Sequence, residues 1–444
     1  MSLIEMIRNA GVVGCGGAGF PTDVKLDTKA EYLLINGMEC EPMLRTDRYL
    51  MINRADEIVS AAAIMGEHLG ASEIIIGIKD HYREEREALE RAVKGSSCSV
   101  RVQGVSNSYP AGDEHVVVYE LTGRRVPPGG IPVDVGCVVD NVGTVLAVYE
   151  AIKGLPVTDK YLTVAGEVEN PVIVKAPIGT PVSECLKLAG GKKEEDTFLI
   201  SGGPMMGKPL KSSRGEEDYV TKTTSGILAF KKDSYMALEA QPAELRRKEA
   251  SKYCIQCSYC TMLCPRNLLG HPLEPHKIMR LFALGEEANV LTHADTVMSA
   301  ALCSQCGVCG EYACPMGLKP NLVNQYIKEQ LAIKGIKNNK WKSFEASGER
   351  EWRKLPSRRL AARMGLLDYY DIRITDVAEA CPSKVFISLR QGIGAGSKPV
   401  VGAGDKVKKG DLIAVKPENA LGSNIHASID GTVLDVNEAV VIGG

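Results

Sequence analysis

Eight of the fourteen cysteines fall in two short runs, CIQCSYCTMLCP at 254–265 and CSQCGVCGEYACP at 303–315. Each run places three cysteines at i, i+3 and i+6, then a fourth cysteine followed by proline. Zinc sites usually close with two CxxC pairs separated by a loop, or with histidines. Three thiolates this close can instead wrap one corner of an iron–sulfur cubane, each reaching a different iron. The fourth ligand must then come from elsewhere, and the proline turns the chain away after the distal cysteine.

The spacing matches the bacterial ferredoxin run, in which the fourth cysteine serves the other cluster. By that rule one [4Fe–4S] cluster takes Cys254, Cys257, Cys260 and Cys314, and the other takes Cys303, Cys306, Cys309 and Cys264. The second run carries four residues before its last cysteine where the first carries three. Zinc, or one cluster plus stray thiols, is the competing reading, and it leaves the duplicated pattern unexplained. His271 and His276 lie nearby in LLGHPLEPHK. With all eight positions filled, they are expected to cap or pack. Cys15, Cys40, Cys98, Cys137, Cys185 and Cys381 are scattered, and most are expected to be small buried hydrophobes.

An electron donor site is expected near the start. GCGGAGFP, residues 14–21, contains Gly14, Gly16 and Gly19 as G-x-G-x-x-G, with Glu39 where a dinucleotide fold keeps its ribose-binding acid. That fingerprint needs a strand before it, whereas LIEMIRNA reads as helix up to Ala10, and Phe20-Pro21 interrupts the crossover helix. The physical content survives: adjacent glycines let backbone N–H groups close on a phosphate or an isoalloxazine edge. A plain tight turn is the alternative. INGMECEP presents Asn36, Glu39 and Glu41, SYPAGDEH presents Gly112, Asp113 and Glu114, and DNVGT presents Asn141 and Thr144. Polar residues at strand ends are where α/β sheets bind ligands. Each alone also suits a turn or a helix cap.

The elements that must position these groups need several cores, since 444 residues exceed one. Residues 1–156 read as α/β, with strands at 32–36, 73–78, 100–105 and 115–119 and helices at 48–69 and 81–94. Residues 157–232 are β-rich with a helix at 181–189. Residues 233–337 are helical and hold both cysteine runs. Residues 338–376 form a charged linker or surface wrap, and 377–444 are again β-rich. The charge balance, 53 Lys plus Arg against 55 Asp plus Glu, leaves no basic stripe for nucleic acid. No apolar run is long enough for a membrane span, and the start lacks a secretory core. A cytoplasmic protein is expected, in whose reducing surroundings clustered thiols are ligands rather than staples.

GCGGAGFPT, NGMECEP, YPAGDE and DNVGT, in this order, resemble the NADH- and FMN-binding flavoprotein subunit of respiratory complex I. The closer resemblance is to the RnfC-like and PduS cobalamin reductase family. SGGPMMG (201–207), the doubled cysteine runs, GHPLEPH and IHASIDGTV extend it over nearly the whole chain. The barrel-like module comes last, as in PduS, not first, as in RnfC. The resemblance implies a multidomain α/β plus α+β architecture: a complex I flavoprotein-like FMN domain, a β-grasp (SLBB) domain, a helical two-cluster domain and a C-terminal barrel-sandwich hybrid. It implies an FMN bed of Gly14, Gly16, Gly17, Gly19, Lys25, Asn36, Gly112, Asp113, Asn141 and Thr144. Glu39 joins that cofactor-binding set, Glu41 and Glu114 would face NADH, and Phe20 would stack on it. Met38 and Asp140 depart from the complex I pattern, which has an acid and an asparagine there, and Cys15 replaces a commoner residue.

The β-grasp module shows no convergent polar cluster and is expected to be scaffolding. In the last module the carrier hairpin KPENALGSNIHAS has Asn419 near its tip instead of lysine, with Lys416 displaced. Docking to a partner is therefore expected rather than a swinging arm. The implied activity is that of an NADH-dependent flavin/iron–sulfur oxidoreductase, carrying electrons from NADH to FMN, to two [4Fe–4S] clusters and to a partner redox protein. Hydride transfer to a flavin requires no protein nucleophile or acid–base pair, so no catalytic residue is assigned. The acceptor is a corrinoid enzyme by the PduS resemblance. By the RnfC resemblance it is a methylenetetrahydrofolate reductase-like protein or Rnf-like subunits. The two resemblances together imply a cytoplasmic chain associated with a microcompartment or peripheral to a membrane complex. A non-enzymatic iron–sulfur scaffold in such an assembly is the alternative.

Overall fold

The runs YLLIN, EIIIGIK, VRVQGV and CVVDN form the first sheet of this computed structural model, which describes residues 1–444 except 96–98, 195, 212–216, 235–241, 286–293 and 338–339. The strands Val100–Val105, Glu73–Lys79, Tyr32–Asn36 and Cys137–Asn141 lie side by side in that order, all parallel. Parallel sheets are covered on both faces, so their strands are apolar throughout. Leu33, Ile35, Ile74, Ile76 and Ile78 pack under the helices Ala55–Leu69, Arg83–Lys94 and Val142–Ile152. Leu34, Ile75 and Val139 pack against the helix Glu114–Thr122 on the other face.

That helix overturns the strand expected at 115–119. Its β-branched run is held helical because Asp113 caps it, accepting from the backbone N–H groups of His115 and Val116, and Gly123 ends it in a left-handed turn. Val117, Val118 and Leu121 then bury against the sheet, and packing overrides propensity. The strand Cys137–Asn141 takes the fourth place.

The chain runs outward from Tyr32–Asn36 to two strands on one side, then crosses to Cys137–Asn141 on the other. The crevice beyond the carboxyl ends of these two strands is the topological switch point, where such sheets bind ligands. Asn36 and Asn141 are register partners at that crevice.

The second sheet has six strands in the order Val377–Glu379, Val172–Pro177, Asp159–Gly166, Gly226–Lys231, Thr197–Ser201 and Lys208–Pro209. The first of these joins the start of the last stretch to this sheet: Val377–Glu379 pairs in parallel with Val172–Pro177, and Ala378 and Ala380 pack with Val172 and Val174. The stretch before it wraps the molecule. Leu355–Pro356 pairs with Ser108–Tyr109, and Leu355, Leu360 and Met364 share one apolar cluster with Tyr109, Met205 and Cys306. The last module, from Lys384, is two small antiparallel sheets around Val385, Ile413, Val433 and Ile442. Among the described residues no helix is long and apolar enough to cross a membrane.

Candidate functional site

The helix Leu3–Ala10 is opened by a Ser2/Glu5 capping box and stopped at Gly11, so no strand leads into the glycine loop. The Gly14 N–H donates to the Phe20 carbonyl (2.9 Å) and closes the loop. The Cys15 N–H donates to Thr144 Oγ1 (2.9 Å), and Gly16 lies against Asn141. Gly17, at φ +143°, faces open space, whereas Gly19 is buried under Thr223, Gln391 and Gly392. The loop therefore lies across the crevice, over the first turn of the helix Val142–Ile152. Phe20 is half-buried at its end.

The crevice walls are polar and largely preset. Asn36 Nδ2 donates to the Gly112 carbonyl (3.0 Å), and its Oδ1 accepts from the Met38 N–H. Asn141 Nδ2 donates to Asp47 Oδ2 (2.7 Å), while its Oδ1 caps the following helix at Gly143. Lys25 Nζ donates to the Val139 carbonyl (2.7 Å) and lies 3.3 Å from Glu114 and 3.6 Å from Asp140. Burial alone would lower its pKa, but the two carboxylates outweigh burial and raise it. Burial, then Asp47, pushes Glu39 up to about 8, and burial likewise raises Asp140. Each has one buried carboxyl oxygen without a partner. A glycine loop open to solvent at Gly17, a helix N-terminus, a lysine and unpartnered carboxyl oxygens fit a phosphate joined to a hydroxyl- and N–H-bearing cofactor.

Two expected members turn elsewhere. Glu41 is half-buried, with its Oε1 buried and unpartnered; its Oε2 accepts from the Met205 N–H (2.8 Å) and it lies under Gly203, while burial pushes it up to about 7. It thus ties the crevice to SGGPMMG in the second sheet. Asp113, besides its capping role, pairs with Arg266 at 3.0 Å, both side chains being buried. Burial pushes its pKa up, but Arg266 and His115 outweigh that and hold it low. Arg266 follows Cys264-Pro265, so the crevice abuts the cluster domain. Tyr109 Oη donates to the Cys306 carbonyl (2.6 Å) at the same junction. Neither Tyr109 nor Arg266 carries a sequence signal beyond its place beside a motif.

The eight paired-run cysteines gather around two cavities. Cys254, Cys257, Cys260 and Cys314 line one, with His276, Met279 and Met316; Cys264, Cys303, Cys306 and Cys309 line the other, with Arg266, Asn321 and Asn324. The second four are all buried, the first four half-exposed. Burial, then neighbouring thiols, pushes Cys260 up to about 12. Thiols so crowded would ionise only against cationic partners, and iron would supply them. The extra residue of the second run is absorbed by one π-helical stretch, Val308–Ala313, closed by the Cys314 N–H donating to the Cys309 carbonyl. His276 Nδ1 bonds Thr261 Oγ1, and His271 bonds the Val126 carbonyl, in the capping and packing roles expected. Of the scattered cysteines, Cys137 and Cys185 are buried, Cys15 and Cys40 half-buried and Cys381 exposed, and Cys98 lies outside the described residues.

The fold and site define an NADH-linked flavin and iron–sulfur oxidoreductase built on a complex I flavoprotein-type domain. Family models match in the same places: Nuo51 FMN-binding domain over 7–150, SLBB domain over 161–209, 4Fe-4S dicluster domain over 253–319 and RnfC barrel sandwich hybrid domain over 374–444. The chain is 39% identical over 442 residues to cobalamin reductase PduS of Salmonella typhimurium, covering 98% of this chain and 95% of that one. It is 37% identical to one component of the proton-translocating ferredoxin:NAD(+) oxidoreductase complex of Clostridium ljungdahlii, covering 60% and 56%. A crystal structure of an NAD+-reducing [NiFe]-hydrogenase in the H2-reduced state aligns over 81% of this chain and 66% of its own, with 18% identity and a TM-score of 0.48. The chain belongs to the PduS family.

Proposed function

We propose that this protein oxidises NADH and delivers the electrons singly to a corrinoid on a partner protein. The observation that carries the reading is the extent of the match: PduS aligns end to end, last module included, while the ferredoxin:NAD(+) oxidoreductase component aligns over 60%. When bound, FMN supplies the exchange between two-electron and one-electron chemistry, and the clusters supply one-electron conduction. The glycine loop, Lys25, Asn36, Gly112, Asn141 and Thr144 hold the flavin, Glu39 with them. Glu114 and Phe20 border the nicotinamide side, and Glu41 and Asp113 brace the bed from behind. One cluster is held by Cys264, Cys303, Cys306 and Cys309, the other by Cys254, Cys257, Cys260 and Cys314.

The order of transfer follows from burial. The Cys303 set adjoins the crevice through Asp113–Arg266 and Tyr109–Cys306, so a cluster held there would stand nearer the donor. The Cys254 set is half-exposed and rimmed by exposed Tyr253, Ile255, Tyr259 and Met316, so a cluster held there would stand nearer a partner. The crossed ligands give a direct test. Cys264→Ser, in the first run, is expected to abolish the electron paramagnetic resonance signal of the buried cluster, and Cys314→Ser that of the exposed one. Loss of the cluster belonging to the mutated run would refute the crossing. For the acceptor, anaerobically reconstituted protein with NADH is expected to bleach cob(III)alamin. Dye reduction without corrinoid reduction would sink that assignment and favour the RnfC-like role.

A further inference from the structure

The cluster domain is an approximate internal repeat whose halves treat their cavities differently. The helix Pro275–Leu284 begins with a proline lining the Cys303 cavity and presents His276 and Met279 to the Cys254 cavity. The helix Pro320–Ile333 does the reverse: Pro320 lines the Cys254 cavity, and Asn321 and Asn324 line the Cys303 cavity. The paired residues stand at equivalent places, one and four after the proline. Asn324 is 1% exposed, and neither its amide nitrogen nor its oxygen has a hydrogen-bond partner. The side-chain oxygen of Asn321 has none either. Among the described residues lining the Cys254 cavity, none carries such an atom.

A buried polar group left unpaired costs about 1–3 kcal/mol, and native structures hold few of them. Asn324 has two N–H donors, and thiolate and sulfide are anionic acceptors. We propose that Asn324 donates through its amide nitrogen to cluster sulfur in the Cys303 cavity and raises the reduction potential of that cluster. A donor stabilises the more negative, reduced state more than the oxidised one, and hydrogen bonds to sulfur are among the terms that set such potentials. In the other cavity the equivalent places carry no carboxamide: His276 Nδ1 is engaged by Thr261 Oγ1, and Met279 has no donor. The repeat thus sets two chemically similar clusters apart. This rests on the ligand sets proposed above.

The test is a redox titration of the full chain, reconstituted anaerobically with iron and sulfide and followed by electron paramagnetic resonance. In Asn324→Leu one midpoint is expected to fall, changing the reduced-to-oxidised ratio at fixed potential on the order of tenfold, about 59 mV for a one-electron couple. The other midpoint stays. Full iron content with both midpoints unmoved overturns the proposal. Should Asn324→Leu not hold full iron, Met279→Gln decides: a carboxamide in the equivalent place must raise the midpoint of the exposed cluster, and no rise overturns the proposal. Failure of the ligand sets shows separately, as Cys306→Ser retaining both cluster signals.

Discussion

At the scale of single residues, the two carboxyl groups of NGMECEP are both pushed above the ordinary carboxylate range by burial. Glu41 shows the consequence for stability. Its ordinary pKa is 4.5, and burial pushes it up to about 7 in the folded chain. Below pH 4.5 both states hold the proton. As pH rises toward 7 the unfolded chain ionises while the folded one resists, so the contribution of Glu41 to stability is lost through that window. The size is roughly 3 kcal/mol, at about 1.4 kcal/mol per unit. Glu41→Gln keeps an acceptor for the Met205 N–H and cannot ionise. In urea melts it is expected to match the wild type near pH 4.5 and exceed it at pH 8. A difference that does not vary with pH would contradict this. Cysteine spacing made the two ligand sets legible because thiolate geometry is local. The burial of Glu41 against Met205, 164 positions away, was not, because nothing in either motif encodes the other.

At the scale of elements, the two CxxCxxC loops share one backbone. Gln256 and Gln305 are left-handed at the same place, as are Ser258 and Gly307 just after the second cysteine. Non-glycine residues there cost about 1–2 kcal/mol, held because the loop must curl around its cavity. The halves differ in what surrounds the last position. A side chain at Gly307 would stand 3.1 Å from Met205 Cε and 3.2 Å from its carbonyl oxygen. Gly307→Ser, copying the first run, is therefore expected to speed iron loss to a chelator from the buried cluster. Ser258→Gly is expected to spare the exposed one. Equal effects of the two changes would show that Met205 does not matter. The run lengths announced these loops, and the four-residue spacing before Cys314 announced the π turn in retrospect. By contrast, HVVVY misled because local β-branching outweighs a cap that only Asp113 reveals, and CVVDN was too short to stand out until pairing with Tyr32–Asn36 defined it.

At the scale of the whole molecule, the last module acts on the first. Its hairpin docks at home: Lys416 Nζ lies 3.2 Å from Asp23, just past the glycine loop. The Ile393 N–H donates to the Ala18 carbonyl, and Gly392 packs on Gly19. Between them sits Lys222, 1% exposed, donating to the carbonyls of Gly11 (2.7 Å) and Asn424 (2.6 Å) and to Ser423 Oγ. Burial lowers it to about 7. It joins three domains through backbone carbonyl groups. The glycine loop is anchored on one side by Thr144 and on the other by this joint, so freeing the joint frees half the loop. Lys222→Met keeps the stem and strands two carbonyls, each costing about 1–3 kcal/mol. If part of that cost reaches the loop, FMN binding weakens by about tenfold for each 1.4 kcal/mol. We expect at least that loss in a fluorescence titration of released FMN, with iron content unchanged because neither cavity touches the joint. Unaltered FMN affinity in a variant of lowered thermal stability would mean that the last module supports the fold without reaching the flavin bed.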